Sequence, residues 1–435
     1  MTENKEETRI TPRRGWLALS PMLVFLLSYV AVSVYIGDFY KMPVSVALLL
    51  ASVWAVAIYG GHSLPKRIDT FSRAAGHPNI LYMVWIFVLA GAFASLAEKI
   101  GAVDATVSLT LSCCSMEFVV PMLFFAACFI SLAIGSSVGT VVALVPLAAQ
   151  MAQTADGNVA YFVAAVLGGA FFGDNMSVIS DTTIAATRSQ GCSMTDKFKA
   201  NLWIALPAAI VTLGIYMLTG AVNTRSAAPV PDTSYWLVVP YLIVIVAAVI
   251  GINVTIVLTT GIAAALVLGL CTGHSVIEMA GYAGTGIESM GSLIVITMLS
   301  AGMLGIIKAA GGIRFILQGL TRRINGLRGA QAVVAALVSV INLCTANNTV
   351  AIITVGSIVR NISTRYGIDP RKAASLLDSS SCVVQCLIPY GAQTLLATSL
   401  ASISPVATLP YLYYPMALAA MTALSIIFLF PKRLN

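Results

Sequence analysis

The chain is 435 residues long, 58% hydrophobic and only 9% charged, with a net charge of +7. A typical soluble domain carries about 25% charged residues, so a water-soluble surface is excluded. The apolar residues fall in runs of about 16–34, and about 20 suffice to span a bilayer core. Strand-like alternation is absent, so the runs are expected to be helices, which satisfy their own backbone hydrogen bonds in lipid. Membrane lipid is therefore the first partner, and the positive charge reads as topology. No basic stripe interleaved with aromatics points to nucleic acid.

In chain order, the tail 1–15 carries Lys5, Arg9, Arg13 and Arg14, which places it in the cytoplasm. The run 16–36 is too long for a secretory signal and no small-residue cleavage site follows it, so it is expected to be a retained first span. Residues 43–60 return to the basic loop of Lys66, Arg67 and Arg73, and 79–97 cross outward. A straight helix over 117–152 would be about 50 Å long, too long for one crossing and too short for two. Gly135, Ser136, Ser137 and Gly139 interrupt it, predicting a re-entrant hairpin. The overlong segment 158–190 is interrupted over Gly173–Ser177 and ends inside near Arg188, Lys197 and Lys199, after which 200–221 go out.

The same order then recurs. Spans are expected at 235–250, 253–270 and 291–307, followed by a basic loop with Lys308, Arg314, Arg322, Arg323 and Arg328. A second hairpin is expected over 329–361, a broken segment over 373–403 and a last span over 410–430, which returns to Lys432 and Arg433. The sequence thus predicts an all-α polytopic membrane protein of about ten crossings plus two re-entrant helical hairpins, in two inverted repeats. The repeats are 16–222 and 235–431, joined by an external linker 223–234, with 432–435 a second cytoplasmic tail. This multi-pass arrangement suits a cell inner (plasma) membrane. LAGAFASLAEKIGA (89–102) resembles LSAGMLGIIKAAGG (299–312). Pairing GSSVGTV (135–141) with CTANNTV (344–350) aligns Thr140 with Thr349 and sets Asp174 opposite Asp378.

An ionisable group at membrane depth costs several kcal/mol by most scales, roughly 2.5 or more, and marks a functional candidate. Asp174, flanked by Gly173, Asn175 and Ser177, lies midway along its segment, with Asp181 seven residues on. Two carboxylates, the hydroxyls of Ser177, Ser180, Thr182 and Thr183, and carbonyls freed at a break would make a hard-oxygen cation site. The alternative is that both aspartates cap helix ends. Ser136, Ser137 and Thr140 at the first hairpin, and Asn347, Asn348 and Thr349 at the second, could bind a cation or the polar groups of an organic solute. They could equally hold helices together. Asp378, beside Ser379, Ser380 and Ser381, suits either ion coordination or capping near the inner face. Glu98 and Lys99 read best as a mutual pair, and Glu117 as an outer gate or a solvated helix start.

The eight cysteines lie mostly within apolar runs and read as small core residues rather than disulfides. His62, His77 and His274 fall in loops, which removes a buried imidazole relay. No GxxxxGK[ST] loop occurs, so transport would be driven by ion gradients. No cofactor is expected beyond transported ions, nothing supports an enzyme, and a homodimer is compatible with the sequence.

The segment GGAFFGDNMSVISDTTIAATRSQG (168–191) resembles the signature of the NhaC-type Na⁺/H⁺ antiporter family, part of the ion transporter superfamily. Against that family's GDxxSPxSDTT core, Asp174, Ser177, Ser180, Asp181, Thr182 and Thr183 match. Val178 stands where proline is common, marking a divergent branch. The resemblance implies an inverted-repeat transporter fold, in a superfamily that also contains carriers of dicarboxylates and amino acids. Two functions are therefore carried forward. In Na⁺/H⁺ exchange, Asp174 alternately holds a proton or Na⁺, with Asp181 and the neighbouring hydroxyls completing the site. In Na⁺- or H⁺-coupled carriage of a small organic anion or amino acid, the hairpin helix N-termini near Ser136 and Asn347 bind a carboxylate.

Overall fold

A computed structural model describes residues 11–36, 43–113, 116–178, 180–223, 234–250, 252–321 and 324–431. Most of the expected linker 223–234 and the terminal tails lie outside these residues. The regular elements among them are all helical, as the apolar runs require.

The first half runs α1 (Pro12–Ile36), α2 (Val44–Ile58), α3 (Leu64–Ala75), α4 (Pro78–Lys99), α5 (Ala102–Cys113), α6 (Met116–Ile134), α7 (Ser137–Thr154), α8 (Val159–Met176), α9 (Asp181–Gln190) and α10 (Met194–Asn223). The second repeats the order as α11 (Val239–Val249), α12 (Val254–Cys271), α13 (Val276–Ser289), α14 (Gly291–Ala309), α15 (Gly312–Thr321), α16 (Gly326–Thr345), α17 (Asn348–Tyr366), α18 (Pro370–Leu387), α19 (Ala392–Leu400) and α20 (Tyr413–Ile427). Among the described residues, 8 helices are long and apolar enough to cross a membrane, or 9 if Pro405–Tyr411 and α20, bent by 56°, form one span. The short helices α3, α5, α13 and α15 were not expected. All four contain charged residues, which hid them between the apolar runs.

Packing follows the repeat. α6 lies on α8 as α16 lies on α18, while α9 packs on α17 as α19 packs on α7. Likewise α4 meets α13 where α3 meets α14, and α4 meets α12 where α2 meets α14. Each half therefore supplies a hairpin and a broken helix, and each broken helix docks on the other half's hairpin.

Helix caps set the internal register. Gly135 and Ala346 both take left-handed conformations, with φ of 69° and 46°. Ser136 then caps α7 by accepting from Gly139 N, and Asn347 caps α17 by accepting from Val350 N. Asn158 and Asp369 cap α8 and α18, and α9 and α19 begin at matching places. This register pairs Ser137 with Asn348, Asp174 with Gln385 and Thr182 with Gln393. It differs from the Thr140/Thr349 alignment, and Asp378 is not the counterpart of Asp174. Matching the threonines weights an identity, whereas the backbone repeats its turn and its caps.

Candidate ion and substrate site

Asp174 occupies the last turn of α8, beside a helix contact that leaves no room for side chains. A Cβ on Gly173 would lie 2.3 Å from Ser131 Cβ and 2.4 Å from the Leu132 amide nitrogen. Ser131 Oγ also donates to Ala170 O at 2.5 Å. Close backbone approach of this kind is how small residues lock helices together in lipid, and it fixes the carboxylate on α8. Gly173 thus serves packing rather than a break. α8 continues helical to Met176, and the interruption comes later than expected, where Ser177 turns extended and Ser180 caps α9.

The Asp174 carboxylate is 5% exposed. It accepts from Ser137 Oγ at 2.9 Å and from Ser180 Oγ, and among the described residues it forms no ion pair. Ser137 Oγ in turn accepts from Gln393 Nε2 at 3.2 Å. Gln385 Nε2 donates to Gln393 Oε1 and to Ala346 O, both at 2.9 Å. A chain of amides therefore joins the tip of the second hairpin to the carboxylate of the first broken helix.

These groups border a cavity of about 380 Å³ between the two hairpin tips. Ser136, Ser137, Asp174, Asp181, Thr182, Asn347, Asn348 and Thr349 line it, with Gln393, the first turns of α4 (Tyr82, Met83, Ile86, Phe87) and Ile252–Val254. Thr140, Asn175, Ser177 and Asp378 do not. Thr140 Oγ1 donates within its helix to Ser136 O at 3.1 Å. Ser177 closes α8 through its amide on Gly173 O at 2.7 Å.

The cavity lining combines unlike groups. Asp174 and the exposed Asp181 make it acidic. Asn348 Oδ1 accepts from Thr349 N at 3.1 Å, which orients the amide. Its Nδ2 is left without a partner among the described residues, although Asn348 is 5% exposed. A free donor beside the N-termini of α7 and α17 favours an acceptor oxygen.

Asn175 and Asp378 belong to a separate cluster behind the cavity, in which Lys197, Asp378, Asn175 and Asn201 are all 0% exposed. Lys197 Nζ pairs with Asp378 Oδ2 and donates to Asn175 O, and it reaches Thr183 Oγ1 at 3.0 Å. Asn201 Nδ2 donates to Asn175 Oδ1 at 2.8 Å, while its Oδ1 accepts from Ser375 and Ser379 at 2.8 and 2.7 Å. The freed carbonyl expected to serve an ion is thus taken by a lysine and an amide. Lys197 was read as a cytoplasmic loop charge because it precedes an apolar run. The signal overlooked is its i,i+4 spacing to Asn201, which puts both on one face of α10. Gln385 and Gln393 were overlooked as isolated amides in apolar surroundings.

Elsewhere, Glu98 and Lys99 pair at 3.6 Å, both substantially exposed, as the simpler reading expected. The side chain of Glu117 lies outside the described residues. The six described cysteines are free, four of them buried, and the three histidines lie in loops.

The sequence profile of the Na⁺/H⁺ antiporter family matches residues 14–221 and 226–432. The chain is 26% identical to the Na⁺/H⁺ antiporter NhaC of Alkalihalophilus pseudofirmus over 88% of each chain. It is 28% identical to the malate-2H⁺/Na⁺-lactate antiporter of Bacillus subtilis over 46% of this chain and 43% of that one. It is also 23% identical to the arginine/ornithine antiporter of Halobacterium salinarum over 94% of this chain and 90% of that one.

Proposed function

The chain belongs to the Na⁺/H⁺ antiporter family, and from that premise we propose that it exchanges Na⁺ for H⁺ by alternating access, with the two ions competing for Asp174. It is a secondary transporter embedded in a membrane, not an enzyme. The observation that carries the reading is the state of Asp174, a buried carboxylate at a cavity, held by two hydroxyls and, among the described residues, by no fixed cation. A hydroxyl can donate to a carboxylate and equally turn a lone pair toward an ion. Ser137 and Ser180 can therefore serve Asp174 both when it is protonated and when it holds Na⁺, with Asp181, Ser136 and Thr182 supplying further oxygens. One carboxylate that holds either ion, but not both, couples their fluxes.

The orientation belongs to the same proposal, with both termini in the cytoplasm of a plasma-membrane protein and the repeats 16–222 and 235–431 inverted. The first turns of α4 and α12, which border the 380 Å³ cavity, then face the cytoplasm. The matching first turns of α2 and α14 border a smaller cavity of about 220 Å³ with Thr398 and Ser399. This pairing supports an inward-open form related by the repeat to an outward-open one.

A second reading is favoured by the free amide donor in the cavity lining. A volume of 380 Å³ lies within the range of small-molecule sites, roughly 300–1,000 Å³, and the free Asn348 Nδ2 suits a carboxylate better than a cation. On this reading an organic anion or amino acid is carried against Na⁺ or H⁺. Purified protein in liposomes with an internal pH dye separates the two. Proton movement on adding Na⁺ alone supports the exchanger. Flux only when a dicarboxylate or amino acid is supplied transfers the assignment to the carrier, and no flux with any of them defeats both.

A further inference from the structure

Lys197 is buried more completely than Asp174. Its ammonium lies wholly out of solvent among three oxygens from different places in the fold. These are the Asp378 carboxylate on α18, the Asn175 carbonyl at the C-terminal end of α8 and the Thr183 hydroxyl on α9. A carboxylate, a helix-terminal carbonyl and a hydroxyl are the ligands a hard monovalent cation takes, and the C-terminal dipole of α8 adds negative potential at the same point. The Lys197 ammonium occupies the point at which these three oxygens converge.

We propose that Lys197 fills a second cation site, with Asp378 as its anionic ligand, and so limits the transporter to the one exchangeable cation at Asp174. The count at Asp174 rests on the exchanger reading above, whereas the site around Lys197 does not. The neighbouring amide fits this assignment. Asn201 Nδ2 donates to both the side-chain and the backbone oxygen of Asn175, at 2.8 and 3.1 Å, and its Oδ1 ties α8 to Ser375 and Ser379 of α18. The three oxygens would therefore keep their places when the ammonium is removed. Because α8, α9 and α18 all contribute, a cation here, whether tethered or free, also holds the two broken helices at a fixed spacing. A lysine performs that task in every state of the cycle, whereas a dissociable ion would perform it only when bound.

The test is equilibrium binding of radioactive Na⁺ to the purified full chain, made in an Asp174→Asn background so that the proposed exchange site is removed. Asp174→Asn alone is expected to bind no Na⁺. Asp174→Asn/Lys197→Ala is expected to bind one Na⁺ per chain, displaced by NH₄⁺, whose shape matches the missing ammonium, and not by choline. Adding Asp378→Asn to that pair abolishes the binding. The Lys197→Ala protein should also gain thermal stability as Na⁺ replaces choline at constant ionic strength, a dependence that Lys197→Ala/Asp378→Asn lacks. A folded Asp174→Asn/Lys197→Ala protein that binds no Na⁺ overturns the proposal. So does a Lys197→Ala protein that stays unfolded even in molar Na⁺, with or without Asp378→Asn, since the vacated oxygens then do not accept a cation. Failure of the exchanger reading looks different. It appears as Na⁺ binding that survives Asp174→Asn with Lys197 in place.

Discussion

The two broken helices occupy equivalent places in the fold and carry opposite chemistry. In the first half, Asp174 is held by Ser137 from its own hairpin and by Ser180, and Asp181 follows at the start of α9. In the second, the equivalent positions are Gln385, Asn348, Gly391 and Ala392. One half places carboxylates and hydroxyls at the cavity, the other amides. Gln385 Oε1 and Asn348 Nδ2 both lack partners among the described residues, whereas Asp174 and Ser137 are bonded to each other. On the proposed exchange reading, the duplicated scaffold would supply the two-way access, and divergence at a few cap-proximal positions would decide which half holds the exchangeable ion.

The largest effect is expected from removing that difference. Asp174→Asn keeps size and polarity but cannot exchange a proton, so Na⁺-driven proton flux in liposomes should fall to background with the protein still folded. Moving the carboxyl across, as Asp174→Asn/Gln385→Glu, should not restore it, because the partner of Gln385 at the hairpin tip is the Ala346 carbonyl rather than a hydroxyl. Restored flux would show that the halves are interchangeable and break the comparison.

Next in size is Asn348→Ala, which deletes the free donor of the amide half. A hydrogen bond to a charged group contributes about 1.5–3 kcal/mol, or roughly tenfold to over a hundredfold in affinity. If a carboxylate cargo binds there, its half-saturating concentration should rise by that factor. If Na⁺ alone is exchanged, the same variant should shift the Na⁺ dependence and leave organic solutes irrelevant. An unchanged response to every substrate would remove Asn348 from the site.

A smaller effect is expected at the contact that aims Asp174. Gly173→Ala places a methyl where only 2.3 Å separates it from Ser131 Cβ, and overpacking of this kind costs about 1–3 kcal/mol. Thermal unfolding in detergent should show the loss, and the apparent Na⁺ affinity should weaken with it as α6 and α8 separate. A normal affinity in a destabilised protein would mean that the packing sets stability without aiming the carboxylate.

These predictions draw unevenly on what was readable beforehand. The apolar runs located the long helices because burial in lipid demands continuous hydrophobicity. The hairpin tips showed because Gly135–Gly139 and Asn347–Thr349 interrupt it. Asp174 stood out by its cost at membrane depth. The register between the halves did not emerge, since it resides in caps and a left-handed Ala346 that residue identity does not reveal. Lys197 was invisible for a related reason. A lysine near a helix end is ordinarily a solvated topology signal, and only the fold shows this one turned inward onto Asp378.

The smallest expected effect compares the two entrances to the broken helices. α8 is capped by neutral Asn158, which accepts from Ala160 N at 2.9 Å. α18 is capped by Asp369, which accepts from Arg371 N at 2.8 Å and from the Arg371 guanidinium at 2.9 and 2.7 Å. The guanidinium's hydrogen bonds hold the Asp369 carboxyl below its ordinary value. A carboxyl lowered by folding contributes stability that is fully present above the ordinary aspartate value, about 3.9, and is lost as pH falls through the lower folded value. The pair is partly exposed, so solvent screening keeps its contribution within about 1 kcal/mol. Asp369→Asn, which makes the second entrance resemble the first and preserves a good cap, should therefore unfold slightly earlier than wild type at pH 7. The gap should close as the pH is lowered below about 4, with exchange activity at pH 7 unaltered. A gap that persists in acid would assign the contribution of Asp369 to its cap geometry rather than its charge, and the two entrances would then differ in sequence but not in physics.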